Sequence, residues 1–125
     1  MPSLREHIKA CRLAGIDENI CERVNVWMDE PARWQPGCAH RTERHSSDDC
    51  LDIAIEIYNE ALGETGDREL AFSKALQALS ACELHRELDR VYERCGCKSL
   101  YGEFYREEGY LYKQRRRLEQ LIRVV

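Results

Sequence analysis

Prolines, hairpin signals and long apolar runs are scarce in this 125-residue chain, and each shortage excludes a class of structure. The three prolines all precede residue 37, and no Asn-Gly or Asp-Gly pair is present to close a β-hairpin. No stretch approaches the roughly 18 consecutive apolar residues that a membrane-spanning helix needs. The segment Met1–Glu6 lacks the apolar core of a secretion signal. We therefore expect a cytoplasmic protein without a membrane segment.

Charge, cysteine content and missing motifs limit the partners, the redox state and the activities that we expect. The chain carries 19 basic and 23 acidic residues, so its net charge of -4 disfavours nucleic acid as the partner of its whole surface. Seven cysteines are many for this length, but their number is odd. Because we expect no export to an oxidising compartment, we expect reduced thiols. The sequence also lacks GxSxG, phosphate-loop and HExxH motifs, which leaves no familiar catalytic signature.

Helix start and stop signals recur along the chain and predict one all-α domain over residues 1–125, a compact bundle of four long helices plus a shorter one. Capping residues open segments at Ser3, Asp17, Ser46, Asp67 and Ser99. Glycines are expected to end helices at positions 15, 63, 66 and 96. We expect the fourth helix, from Asp67 to Cys95, to be central because it is apolar on two faces.

The first candidate site is the segment Cys38-Ala39-His40-Arg41-Thr42-Glu43-Arg44-His45. Imidazole and carboxylate are common ligands of divalent metals, so His40, His45 and Asp49 are candidate ligands for Zn²⁺ or Mg²⁺. If the third helix begins near Gly37, His40 and His45 lie about 140° apart on it and cannot share an ion, although His45 and Asp49 still can. If residues 38–46 form a loop, the two histidines can converge. The alternative is an ordinary solvated acidic face.

Arg41 and Arg44 suggest a different chemistry at the same place. Two guanidinium groups beside two histidines and a helix N-terminus can bind an anion such as phosphate or a carboxylate. The alternative is that both arginines only pair with acidic residues of the surface.

A second candidate metal site combines two helices. His7 and Cys11 are four residues apart on one helix, and Cys82 and His85 are three apart on another, so together they offer a Cys2His2 ligand set. The alternative is that these cysteines are small buried apolar residues.

The last predicted helix offers an interaction surface. Tyr101, Tyr105 and Tyr112 lie near Phe104, and apolar residues recur every seven positions, which is typical of a surface that docks a protein partner or a second copy. The basic residues Lys113 and Arg115–Arg117 follow, so nucleic-acid binding through this helix is a further hypothesis. The alternative is that the tyrosines half-pack against the bundle.

Trp27-Met28-Asp29-Glu30, followed by His40-Arg41-Thr42-Glu43-Arg44-His45, resembles a pattern in small uncharacterised bacterial and phage proteins. In that family a W-x-D-E stretch precedes H-R-x-x-R-H, which leads into a helix, and the similarity covers residues 27–62. The resemblance implies no activity, so we expect a small helical binding protein of phage or accessory type that acts on a protein partner or as a homodimer. The alternatives are a metal-dependent hydrolase of a phosphate-containing substrate and a nucleic-acid-binding protein.

Overall fold

The computed structural model describes residues 4–35, 43–91 and 110–124, and this part of the chain contains helices but no strand. The four longer helices are α2 (Glu18–Asp29), α3 (Ser47–Thr65), α4 (Arg68–Val91) and α5 (Tyr110–Val124), and the shorter one is α1 (Leu4–Leu13). A short 3-10 helix, Glu30–Arg33, follows α2 and begins with Pro31 in its first turn. The all-α bundle expected from the sequence is confirmed. None of the described helices is both long and apolar enough to cross a bilayer.

Helix α4 lies at the centre, as its two apolar faces predict, and packs against all four other helices. Its buried seam contains small residues at alternating spacings of four and three, a pattern that keeps one side of a helix facing its neighbours. The members of this seam are Ala71, Ala75, Ala78 and Cys82, all fully buried. Small side chains let neighbouring helices approach closely, and the larger apolar residues of α3 fill the space opposite.

The start of α3 is set by a capping box. Ser46 Oγ accepts from the Asp49 backbone N–H at 3.1 Å, and Asp49 Oδ2 accepts from the Ser46 backbone N–H at 3.0 Å. A start near Gly37 is therefore wrong, because residues 43–46 are not helical. Helix α5 contacts the first turn of α3. Gln114 Nε2 donates to the Ser47 carbonyl at 3.0 Å, and Arg117 pairs with Asp48 at 2.8 Å.

The expectation of reduced thiols is wrong for four of the seven cysteines. Disulfides join Cys11 to Cys21 and Cys50 to Cys82, and all four residues are buried. The first bond connects α1 to α2 and the second connects α3 to α4. An odd cysteine count could not reveal these pairs, because pairing depends on which helices pack together.

The two glycines near the end of α3 play different parts. Gly63 continues the helix, contrary to the expected stop, whereas Gly66 ends it with φ of 68° in the left-handed region. A Cβ at either position meets no neighbouring atom within 4 Å, so only the backbone conformation distinguishes them.

We expect Gly63→Ala to raise the free energy of unfolding by about 0.5–1 kcal/mol, since alanine is the better helix former. Gly66→Ala should lower it by about 1 kcal/mol, because a Cβ disfavours the left-handed conformation. Urea unfolding followed by circular dichroism measures both, and each variant is the other's control. Changes of the same sign would contradict the assignment of Gly66 as the residue that ends α3.

Candidate functional site

Five polar side chains converge inside the bundle where an apolar core is expected. His7, His45, His85 and Asp89 are all at most 2% exposed, and the Asp29 side chain, at 34%, forms the edge nearest to solvent. They come from α1, α2, α4 and the segment before α3, so residues distant in sequence meet at one point. Buried ionisable groups are rare unless they are paired or bind a metal, which makes this cluster the candidate functional site.

Helix α4 supplies two of the five by continuing its seam. His85 and Asp89 follow Cys82 at spacings of three and four, so they occupy the same buried side as the alanines. Helix α2 acts similarly, because Asn25 and Asp29 lie one and two turns after the buried Cys21. In both helices the buried side is thus apolar at its start and polar near its end, and the polar ends line the site.

The segment before α3 positions His45. Arg44 adopts a positive φ of 58°. Its guanidinium donates to the Trp27 carbonyl at 3.0 Å and to Glu30 at 3.1 Å, and it lies over the Trp27 ring. Arg44 therefore ties this segment to the end of α2, and its ion pair with Glu30 is of the kind that the pairing alternative expects.

Four donor atoms surround one point in the cluster. Nε2 of His45 lies 3.4 Å from Asp29 Oδ1 and 3.5 Å from Asp89 Oδ2, while Nε2 of His85 lies 3.3 Å and 3.1 Å from the same two oxygens. All four atoms are within 4.8 Å of one another. Ligand atoms of a tetrahedral zinc ion, about 2.0–2.2 Å from the metal, are separated by about 3.3–3.6 Å. The spacing of the four donors therefore resembles that of a coordination shell.

Hydrogen bonds fix how both imidazoles face this point. His45 Nδ1 donates to the Glu43 carbonyl at 2.7 Å, and His85 Nδ1 donates to Asn25 Oδ1 at 2.5 Å. Asn25 is oriented in turn, because its Nδ2 donates to the Cys21 carbonyl at 2.7 Å. With the proton on Nδ1, a neutral ring presents the Nε2 lone pair to the carboxylates, as metal-binding histidines do.

The two carboxylates strongly stabilise positive charge on the groups that face them. Burial lowers the pKa of His85, but its contacts with Asp29 and Asp89 outweigh burial and raise this pKa to about 9. The pKa of His45 is also raised, by the same two carboxylates acting against burial. Burial raises the pKa of Asp29, yet His45 and His85 reverse that effect and leave it well below its usual value. Protons or a metal ion can supply the required charge.

His7 lies behind the four donors. Its ring stacks on that of His85 with centroids 4.0 Å apart, and its Nε2 is 3.7 Å from the second carboxylate oxygen of Asp89. Burial, with a contribution from His85, lowers the pKa of His7 to about 4, so the ring is neutral near pH 7. His7 therefore closes the inner side of the site and faces Asp89 Oδ1, whereas His45 and His85 face Asp89 Oδ2.

The sequence-predicted residues are distributed unevenly around this centre. His45 belongs to it, but Asp49 does not, because it caps α3 and His45 precedes the helix. His7 and His85 meet as the second candidate set expects, whereas the sulfurs of Cys11 and Cys82 are bonded to other cysteines. His40, Arg41, Tyr101 and Tyr105 lie outside the described residues, as does the side chain of Tyr112 on α5.

Sequence reasoning missed Asp29 and Asp89. The spacing His85-x-x-x-Asp89, in register with a buried alanine seam, is a signal that could have revealed one of them. Asp29 lies one turn after Asn25 on α2, but only the packing of α2 against α4 brings it to the site.

No protein-family model, curated protein or solved structure matches this chain. The resemblance to bacterial and phage proteins stays a prediction.

We expect Asp89→Asn to lower the free energy of unfolding by about 3 kcal/mol in chelator-treated protein, since it leaves two buried histidines with one carboxylate. The control is Asp48→Asn, which removes an exposed partner of Arg117. Exposed ion pairs contribute little, so the control should change stability by less than about 1 kcal/mol. Urea unfolding in EDTA measures both. Equal losses of unfolding free energy in the two variants would show that the buried histidines do not depend on Asp89 for charge compensation.

Proposed function

We propose that this protein binds one divalent transition-metal ion through Asp29, His45, His85 and Asp89. The observation that carries the proposal is the set of four Nε2-to-oxygen separations of 3.1–3.5 Å, combined with both imidazoles being held by their Nδ1 atoms. Each ring has an oxygen acceptor behind it and a carboxylate pair in front of it. This arrangement matches the outer and inner shells of a metal–histidine site.

Charge balance supports a metal ion over protonation alone. A divalent cation neutralises the two carboxylates while both imidazoles remain uncharged. If His45 and His85 instead compensate these charges by protonation, two imidazolium groups lie buried side by side, with ring centroids 5.1 Å apart. Like charges at this separation in a poorly solvated core repel each other, so the metal-bound arrangement is the better balanced one.

The donor types select among metals. Mg²⁺ and Ca²⁺ take mainly oxygen ligands, whereas this set offers two nitrogens and two oxygens. Zn²⁺ accepts such a mixture in tetrahedral geometry, and Fe²⁺, Co²⁺ and Mn²⁺ are related candidates. Zn²⁺ is therefore the appropriate first probe, and of the two metals expected from the sequence it fits better than Mg²⁺.

The test is isothermal titration of chelator-stripped protein with Zn²⁺, backed by elemental analysis after dialysis. We expect one ion per chain for the wild type, and at least about 100-fold weaker binding for His85→Ala and for Asp29→Asn. Asp29→Asn is the safer variant, because its partly exposed side chain can change with little effect on packing. Asp49→Asn is the matched control and should bind Zn²⁺ like the wild type. Failure of the wild type to bind, or equal losses in Asp49→Asn, would overturn the proposal.

Metal-dependent hydrolysis is a second candidate, and the exposure of Asp29 favours it. Catalytic zinc sites keep a coordination position for water, so with four protein ligands this site would need a fifth position for water or substrate on the side of Asp29. A bound ion lowers the pKa of a coordinated water and so supplies hydroxide near neutral pH. A phosphate-containing substrate is the class expected from the sequence. Docking of a protein partner or a second copy through the last helix, by contrast, stays a prediction.

Hydrolysis is tested with Zn²⁺- and Mn²⁺-loaded protein and bis(p-nitrophenyl) phosphate, by following nitrophenolate release. We expect a rate above that of the metal salts alone, which Asp29→Asn reduces at least about 10-fold and Asp49→Asn leaves unchanged. A wild-type rate equal to that of the free metal would restrict the site to binding.

A further inference from the structure

We infer that the Cys11–Cys21 disulfide regulates the metal centre, so that reduction of this one bond lowers metal affinity. The inference rests on the proposed function and adds a redox input to the same site. It follows from the place of the bond in the helix packing, from its contacts with Asn25, and from how α1 is held.

The Cys11–Cys21 bond joins the two helices that close one side of the centre. Cys11 lies one turn after His7 on α1, and Cys21 lies one turn before Asn25 on α2. His7 stacks on His85, and Asn25 accepts a hydrogen bond from the same imidazole. The disulfide therefore fixes the relative position of two residues that contact one ligand from different helices.

The bond also touches the residue that orients this ligand. Asn25 Nδ2 lies 3.1 Å from Cys21 Sγ and 2.7 Å from the Cys21 carbonyl, and both atoms accept from it. The opposite end of the same amide, Oδ1, accepts from His85 Nδ1 at 2.5 Å. Only one side chain separates the disulfide sulfur from a proposed metal ligand, so a change at the sulfur reaches the imidazole through two hydrogen bonds.

Helix α1 depends on the disulfide more than the other helices do. It has ten residues, and only His7 and Cys11 among them are buried. Isolated helices of this length are marginal in water, so α1 is stabilised mainly by its attachment to the bundle. Without the bond, α1 loses its covalent link to α2, while the stacking of His7, the partly buried Ile8 and the exposed Arg12–Glu18 ion pair remain, and we expect the inner side of the site to become more accessible to water.

The second disulfide provides an internal comparison. Cys50–Cys82 also joins α4, which carries His85 and Asp89, to α3, but these two helices share an extensive apolar interface containing Ile53, Ala54, Ile57 and Ala61. We expect that interface to persist without the bond. The Cys50–Cys82 loop is longer, with a separation of 32 residues against 10, so removing it should cost the larger share of unfolding stability. We expect the larger loss of metal affinity, by contrast, on removal of Cys11–Cys21.

The reaction is thiol–disulfide exchange with a dithiol reductant. A thiolate of the reductant attacks one sulfur and displaces the other cysteine as a thiolate, and its second thiol then resolves the mixed disulfide. The S–S bond of Cys11–Cys21 breaks while an S–S bond forms in the reductant. Two electrons and two protons pass to the two cysteines.

The experiment compares Zn²⁺ affinity in Cys11→Ser/Cys21→Ser, in Cys50→Ser/Cys82→Ser and in the oxidised wild type. Circular dichroism of each metal-free protein confirms folding. We expect the Cys11/Cys21 variant to bind Zn²⁺ about 10- to 100-fold more weakly than the wild type, and the Cys50/Cys82 variant to remain within about 3-fold. Serine removes the thiols as competing zinc ligands, so a loss of affinity reports on the site itself.

A second readout uses the unmodified chain. Because coupling between two equilibria is reciprocal, Zn²⁺ should protect Cys11–Cys21 from a dithiol by the same factor and leave Cys50–Cys82 nearly unaffected. Alkylation of released thiols followed by peptide mass spectrometry measures each bond separately.

The outcomes separate the two claims. Wild-type protein that binds no Zn²⁺ overturns the proposed function and this inference together. Wild-type binding that the Cys11/Cys21 variant matches, or that both variants lose equally, overturns the redox input alone.

Discussion

The structure depends on one electrostatic constraint, which is that two carboxylates, Asp29 and Asp89, face two imidazoles at a point where water is scarce. Their charge must be compensated locally, and His45 and His85 can do so only as cations or by sharing a metal ion with the carboxylates. This requirement explains why both rings are braced from behind by hydrogen-bond acceptors. A core of apolar residues alone would need neither Asn25 nor the turn at Arg44.

The helical architecture could be predicted from the sequence because its signals are local. Capping residues, glycine stops and apolar spacing act within one or two turns, so they indicated the bundle and the central place of α4. The local signal of a glycine failed at Gly63, which was expected to end α3 but lies inside it.

The candidate site could be predicted only in part. His7, His45 and His85 stood out because histidines are few, but they were divided between two hypothetical sites. Asp29 and Asp89 did not stand out among 23 acidic residues, since a carboxylate at a helix end usually faces water. Which acids are buried depends on how α2 crosses α4, and which cysteines pair depends on the same packing. Neither is encoded by spacing within one helix.

The buried side of α4 carries the packing residues and the ionisable residues in one unbroken spacing of three and four. Insertions or deletions in this helix are therefore poorly tolerated. Each residue of a helix turns the following side chains by about 100°. A single insertion or deletion between Ala78 and His85 therefore swings both donors out of the core while leaving the first half of the helix packed. An insertion before His85 combined with a deletion after Asp89 restores the register of the rest of the helix, but it leaves His85 and Asp89 rotated away from the site. Helix α4 can therefore accept many substitutions on its outer face, but between Ala71 and Asp89 it cannot gain or lose a residue.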